Sequence, residues 1–227
     1  MRPGPVEPKA IELEYDFSAG RHDWQAGLTD YNEIDGPNLE FRAELRALPD
    51  ELNQPGMAFF VQSRNTPDDL FMLLKRKLDA ADGIEPGTTY RVSYEIVFAS
   101  NAPSGCSGIG GAPGESVFFK AGASSEDPRS VLDQATLDYR LNVDKGNQAE
   151  GGPAASVAGD VANGREEGCD DLEGAPFVSV TRTHEHDTPV TAADDGSLWL
   201  LIGTDSGFEG TTQLYYQSVN VRLEPVP

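Results

Sequence analysis

An all-β chain, folded as a two-sheet antiparallel sandwich of the jelly-roll type with about ten strands, is what three features of this sequence predict. Apolar and polar residues alternate with period two in segments spread from end to end. Turn-forming clusters ("DGPN", "EPGTT", "GAPGE", "DDGS") separate those segments. The 24 Gly and 16 Pro in 227 residues follow no collagen-like or low-complexity period, so they call for many turns. No internal repeat or boundary divides the chain. Residues 11–227 are therefore expected to form one sandwich domain behind a flexible N-terminal segment, residues 1–10.

The first strand is "IELEYDF", which sets Ile11, Leu13, Tyr15 and Phe17 on one face and Glu12, Glu14 and Asp16 on the other. "LEFRAELRA" repeats the pattern, with Leu39, Phe41, Ala43 and Leu45 inward. Further strands are expected at 58–62 and 70–78. The second of these, in "PDDLFMLLKRKLDAADG", is read as strand rather than helix because it runs straight into the "EPGTTY" turn. "YRVSYEIVF" buries Val92, Tyr94, Ile96 and Phe98, and "LDYRLNV" buries Leu137, Tyr139, Leu141 and Val143. The last strands are expected at 117–121, 177–181, 198–203 and 214–223. Between Lys145 and Gly174 the chain is small, acidic and glycine-rich, and reads as a long segment of low order.

A formal net charge of −21 repels phosphate backbones, which excludes nucleic acid as a partner and disfavours anionic polysaccharides. No apolar run approaches membrane-spanning length, so no membrane span is expected. "MRPGPVEPKA" is polar and proline-rich and lacks the apolar stretch of a signal peptide. Cys106 and Cys169 each sit beside a glycine in a loop-like segment, a placement that suits a disulfide and a secreted, periplasmic or cell-surface location. The competing reading is two free thiols in a reducing compartment.

"YDFSAGRHDWQAGLTDY", "IEPGTTYRVSYEIVF" and "YYQSVNVRL" together resemble the jelly-roll carbohydrate-binding modules and related galactose-binding-like domains. The resemblance is one of architecture, along most of the chain. It implies a non-catalytic module for carbohydrate or a cell-surface glycan, and in that group an acidic residue of the last strand often ligates a structural calcium. Gln217 stands at the nearest position here. Pyranose faces stack on flat, rigid rings, which makes Trp24, Tyr31 and Tyr216 the candidate ligand-binding residues. Tyr216 is expected to point outward if Tyr215, Val219 and Val221 point inward.

Other chemistries meet specific obstacles. "GGAPGES" puts Glu115 where a phosphate loop needs lysine, and a strand follows, so nucleotide binding is rejected. "FFKAG" and "FRAELR" look like short motifs of alginate lyases, but the Gln-Ile-His motif of those enzymes is absent. Arg42, Glu44 and Lys120 are expected to be structural or solvated rather than parts of one active site. A jelly-roll lyase or hydrolase and a structural, protein-binding surface domain stand as the alternatives. "DYNEIDG" offers Asp30, Asn32 and Asp35 as oxygen ligands for calcium, one residue off the EF-hand spacing. "THEHD" puts His184 and His186 on one side of an extended segment, where a solvated strand end is expected in preference to a shared metal.

Overall fold

The computed structural model describes residues 9–66 and 69–226. The flexible N-terminal segment expected from sequence falls mainly on residues 1–8, outside the described residues. Among the described residues fifteen strands follow one another as β1 (Ile11–Asp16), β2 (Gln25–Thr29), β3 (Tyr31–Asn32), β4 (Arg42–Ala47), β5 (Met57–Arg64), β6 (Leu70–Leu78), β7 (Thr89–Ser100), β8 (Val117–Ser124), β9 (Ser130–Asp133), β10 (Asp138–Leu141), β11 (Ser156–Asp160), β12 (Val178–Glu185), β13 (Val190–Thr191), β14 (Leu198–Ser206) and β15 (Thr211–Pro225).

They build two main sheets packed face to face, as the alternation predicts. The seven-stranded sheet runs β12-β7-β15-β5-β4, with β1 added along β15 and β13 along β7. The five-stranded sheet runs β11-β8-β14-β6-β2. All pairings are antiparallel, and a small sheet, β3-β10-β9, stands apart from both. Val92, Tyr94, Ile96 and Phe98 of β7 meet Val117, Phe119, Ala121 and Ala123 of β8 across the core. Phe98 and Phe119 stack with centroids 4.9 Å apart, and Tyr216 tilts against both rings at 6.1 Å. Trp24, Tyr15 and Phe17 fill one end of the same core with edge-on contacts.

Several expectations are corrected. In β15 the pairing jumps from Tyr216–Phe98 to Ser218–Val97, so Gln217 is an extra residue in a β-bulge. The bulge resets the alternation: Tyr216 turns inward, and Tyr215 packs outside with Phe60, Leu48 and Phe177. "LDYRLNV" yields only a four-residue strand, because Leu137 adopts a positive φ of 63° in the turn before it and is left exposed. Glu40, at φ 49°, likewise delays β4 to Arg42 and leaves Phe41 at the surface. The stretch from Lys145 to Gly174 is not of low order throughout, since β11 lies within it as an edge strand of the five-stranded sheet.

Candidate binding cleft

Between β8 and β11 the chain makes a long excursion, residues 125–155, that folds back over the outer face of the five-stranded sheet. That face presents Phe71, Leu73 and Leu201, on which Ala154, Ala155, Leu141 and Val143 pack. Gly122 lets the excursion lie directly on the sheet, because a Cβ there would collide with the backbone of Ala154 and Ala155. Polar groups pin it down. Lys120 of β8, fully buried, donates to the carbonyls of Lys145 and Glu150 at 2.9 and 2.8 Å and pairs with Asp205 of β14 at 2.9 Å. Lys145 reaches Asp205 at 2.7 Å and Asp30 at 3.1 Å.

The far edge of the excursion is clasped to the other sheet. Ser156 Oγ lies 2.7 Å from His184 Nε2 and 2.8 Å from His186 Nδ1, and accepts the Asp187 N–H at 3.1 Å. His186 Nε2 lies 3.0 Å from the Pro153 carbonyl, which can only accept, so that nitrogen carries a proton. If both rings are neutral, the Ser156 hydroxyl donates to His186, and its two lone pairs receive His184 and Asp187. This cluster replaces the solvated strand end expected from sequence: His186 is buried, and burial pushes both imidazoles below the ordinary histidine range.

Excursion and clasp together frame a cleft of about 420 Å³. Ser124, Ser125 and Glu126 at the end of β8 line it, together with Thr188 to Thr191. Asn142, Asp144 and Val143 close one end, while Pro153 and Ala154 supply small apolar floor. The described lining contains two carboxylates, Glu126 and Asp144, and no Lys, Arg or His. Asn142 spends its amide on structure, donating to the Asp127 carbonyl and accepting from the Arg129 N–H. Beside the cleft stands Trp199, half-buried, paired with Ser124 and so on the same outer face of the sheet. Lys75, held by Asp127, lies over its ring with Nζ 5.0 Å from the centroid.

None of the aromatic candidates lines this cleft. Trp24 and Tyr216 are core residues, 2% and 1% exposed, so their burial overturns the expectation that they offer a stacking surface. Tyr31 is half-buried and stacks on Tyr139 at 4.8 Å in the small sheet. Nor do Asp30, Asn32 and Asp35 converge on one point. Asp30 turns inward to Lys145 and the Leu141 N–H, and Asn32 bonds Asp138 and the Thr136 carbonyl. Asp35 opens a short helical turn at the surface. Among the described residues no group of three His, Cys, Asp or Glu side chains could hold a metal ion. Gln217 donates to Ser179 Oγ at 2.7 Å. Arg42 and Glu44 lie on β4 of the seven-stranded sheet, remote in the topology from Lys120 on β8, so the three do not form one site. Cys106 and Cys169 are bonded, with Cα atoms 5.3 Å apart.

The cleft residues escaped sequence reading because they come from four separated stretches of the chain. Trp199 alone carried a signal: a large aromatic at an outward position of "LWLLIG".

No family model matches the chain, and no curated protein matches it. Among solved structures it is similar to the CBM22-1–GH10 modules of the Clostridium thermocellum xylanase 10B complexed with xylohexaose. That match has 15% identity and a TM-score of 0.37, and covers 94% of this chain but only 28% of the xylanase chain. It is similar also to TmCBM61 in complex with β-1,4-galactotriose (9% identity, TM-score 0.37, 90% of this chain and 92% of that one). The mannan-recognising module TmCBM27 matches at 12% identity and a TM-score of 0.39, over 96% of this chain and 99% of that one. None of the three exceeds 15% identity or a TM-score of 0.39, so the ligand is to be read from this chain's own cleft.

Proposed function

We propose that this chain is a non-catalytic, extracytoplasmic carbohydrate-binding module whose ligand is a neutral glycan held in the cleft between Glu126 and Thr191. The observation that carries the reading is the make-up of that cleft. Its lining offers hydroxyls and two carboxylates over small apolar surface, and no cation. Sugar hydroxyls donate well to carboxylates, whereas a uronate or phosphate would meet only like charge there. The net charge of −21 acts in the same direction at longer range. Trp199 supplies flat apolar surface at the rim, part of it covered by Lys75. The absence of a basic group in the described lining also removes what a lyase would need to neutralise a uronate carboxylate. The Cys106–Cys169 bond supports an oxidising location.

Binding to an array of neutral and acidic glycans, with and without calcium, tests this. Neutral oligosaccharides should bind and uronate polymers should not. Glu126→Gln and Trp199→Ala should each weaken binding by about tenfold, the loss of roughly one good contact. Failure of every neutral glycan at millimolar concentration would remove the reading, as would release of unsaturated ends from uronate polymers.

A further inference from the structure

Lys120 and Asp205 stand on adjacent strands, and neither side chain has any exposed surface. The two carbonyls that Lys120 reaches, those of Lys145 and Glu150, occupy two of its three N–H groups. The third is left for Asp205, whose Oδ2 lies 2.9 Å from Nζ. Moving that single proton to Asp205 leaves a neutral amine, still held by both carbonyls, with its lone pair aimed at the acid. Burial pushes Lys120 below its ordinary value, against the pull of Asp205. On the same carboxylate burial also works to lower Lys145, but Asp205 and Asp30 outweigh it and hold Lys145 above its ordinary value. One lysine is thus poised to lose a proton and the other to keep it.

The carboxylate is itself asymmetric. Its Oδ2 takes every contact: Lys145 Nζ lies at 2.7 Å, and the Gln148 N–H and Lys120 Nζ each at 2.9 Å. Its Oδ1 is buried and has no hydrogen-bond partner among the described residues. The oxygen within reach of Lys120 is thus the one that can take its protons and leave as water, and Oδ1 can become the carbonyl oxygen of an amide.

We propose that Lys120 and Asp205 condense to an intramolecular isopeptide bond that cross-links β8 to β14. The ammonium gives one proton to the carboxylate, and the amine Nζ attacks Cγ. The Nζ–Cγ bond forms while Lys145 and the Gln148 N–H draw charge onto Oδ2, the oxygen that Lys120 has protonated. A second proton passes from nitrogen to the protonated Oδ2, the Cγ–Oδ2 bond breaks, one water leaves, and Oδ1 becomes the amide carbonyl oxygen. No oxidant, reductant or co-reactant is needed. The amide retains one N–H for the Lys145 or Glu150 carbonyl, and the closed site keeps water from reversing the step.

The measurement is the intact mass of the reduced full-length chain under denaturing conditions, with peptide mapping. The wild type should be one water lighter than its sequence, resist trypsin after Lys120, and yield a branched peptide joining Lys120 to Asp205. Lys120→Arg should have the full sequence mass. Lys145→Met keeps both reacting groups and should slow appearance of the light species at least tenfold after refolding. A wild-type chain at full mass after days in native buffer overturns the proposal. So does a missing water mapped to cyclised aspartate at Asp35–Gly36, Asp82–Gly83 or Asp195–Gly196. Because the wild type decides the matter, a variant that fails to fold does not blunt the test.

Discussion

Replacing both cysteines by alanine should cost the fold about 4 kcal/mol, nearly all of it through the unfolded state. The bond ties residues 63 apart in sequence and joins the connection before β8 to the connection before β12. Closing a loop of that length removes roughly 14 cal/mol/K of chain entropy from the unfolded ensemble, which is about 4 kcal/mol at room temperature. Native contacts change little by comparison, since each replacement removes a single sulfur atom and Cys169 is exposed. Equilibrium unfolding in urea, followed by tryptophan fluorescence, measures the difference. The variant should also show a steeper denaturant slope, because its unfolded chain expands further. Wild type with the bond reduced should match it. A loss below about 1 kcal/mol would refute the chain-entropy account, and so would a reduced wild type far less stable than the double variant.

Three further outcomes follow from packing and charge. Phe119→Ala removes one ring of the Phe98–Phe119 stack from a fully buried site and should cost about 3–5 kcal/mol in a melt; a loss under 1 kcal/mol would mean the core collapses around the gap. Gly122→Ala should lift residues 154 and 155 from the sheet, seen as faster amide exchange along 141–155 with the rest of the core unchanged. Unaltered exchange there would show that the contact is not tight. For pH, His184 and His186 are both held below the ordinary range by burial, with the neighbouring imidazole adding to the effect at His184. The unfolded imidazoles, near 6.5, take up protons first as pH falls, so the clasp stabilises fully above about 6.5 and progressively less down through the native values. The melting temperature should therefore drop between pH ~7.5 and ~5.5, with a shallower drop in His186→Gln; equal slopes in the two proteins would contradict the assignment.

Period-two alternation made the sandwich legible, since a half-buried strand must put its apolar residues on one face. Val92, Tyr94, Ile96 and Phe98 fall where that rule places them. What it could not see is a one-residue insertion. Gln217 turns Tyr216 from a surface ring into a core ring, and no turn residue announces the bulge. The site was less legible for a different reason. Ser156 is an undistinguished serine until the fold places it between two histidines some thirty positions away. The cleft likewise draws residues from 123–126, 142–144, 153–154 and 188–191, so its character exists only in three dimensions. Lys120 looked like a charge in a short motif, and only its depth and its partners show it as a buried hub.

The pairing of β1 with β15 carries a mechanical consequence. Ile11 lies opposite Leu223 and Asp16 opposite Ser218, so the strand nearest the N-terminus and the strand nearest the C-terminus run side by side and emerge at the same pole. A tension applied through those two ends meets the ladder one rung at a time, beginning at Ile11–Leu223, instead of loading all its hydrogen bonds at once. Such a geometry peels at low force, whereas a sandwich whose ends leave at opposite poles resists in shear. Stretched between a surface and a partner, this protein should surrender β1 first, and β15 should then remain anchored in the sheet by β7 and β5.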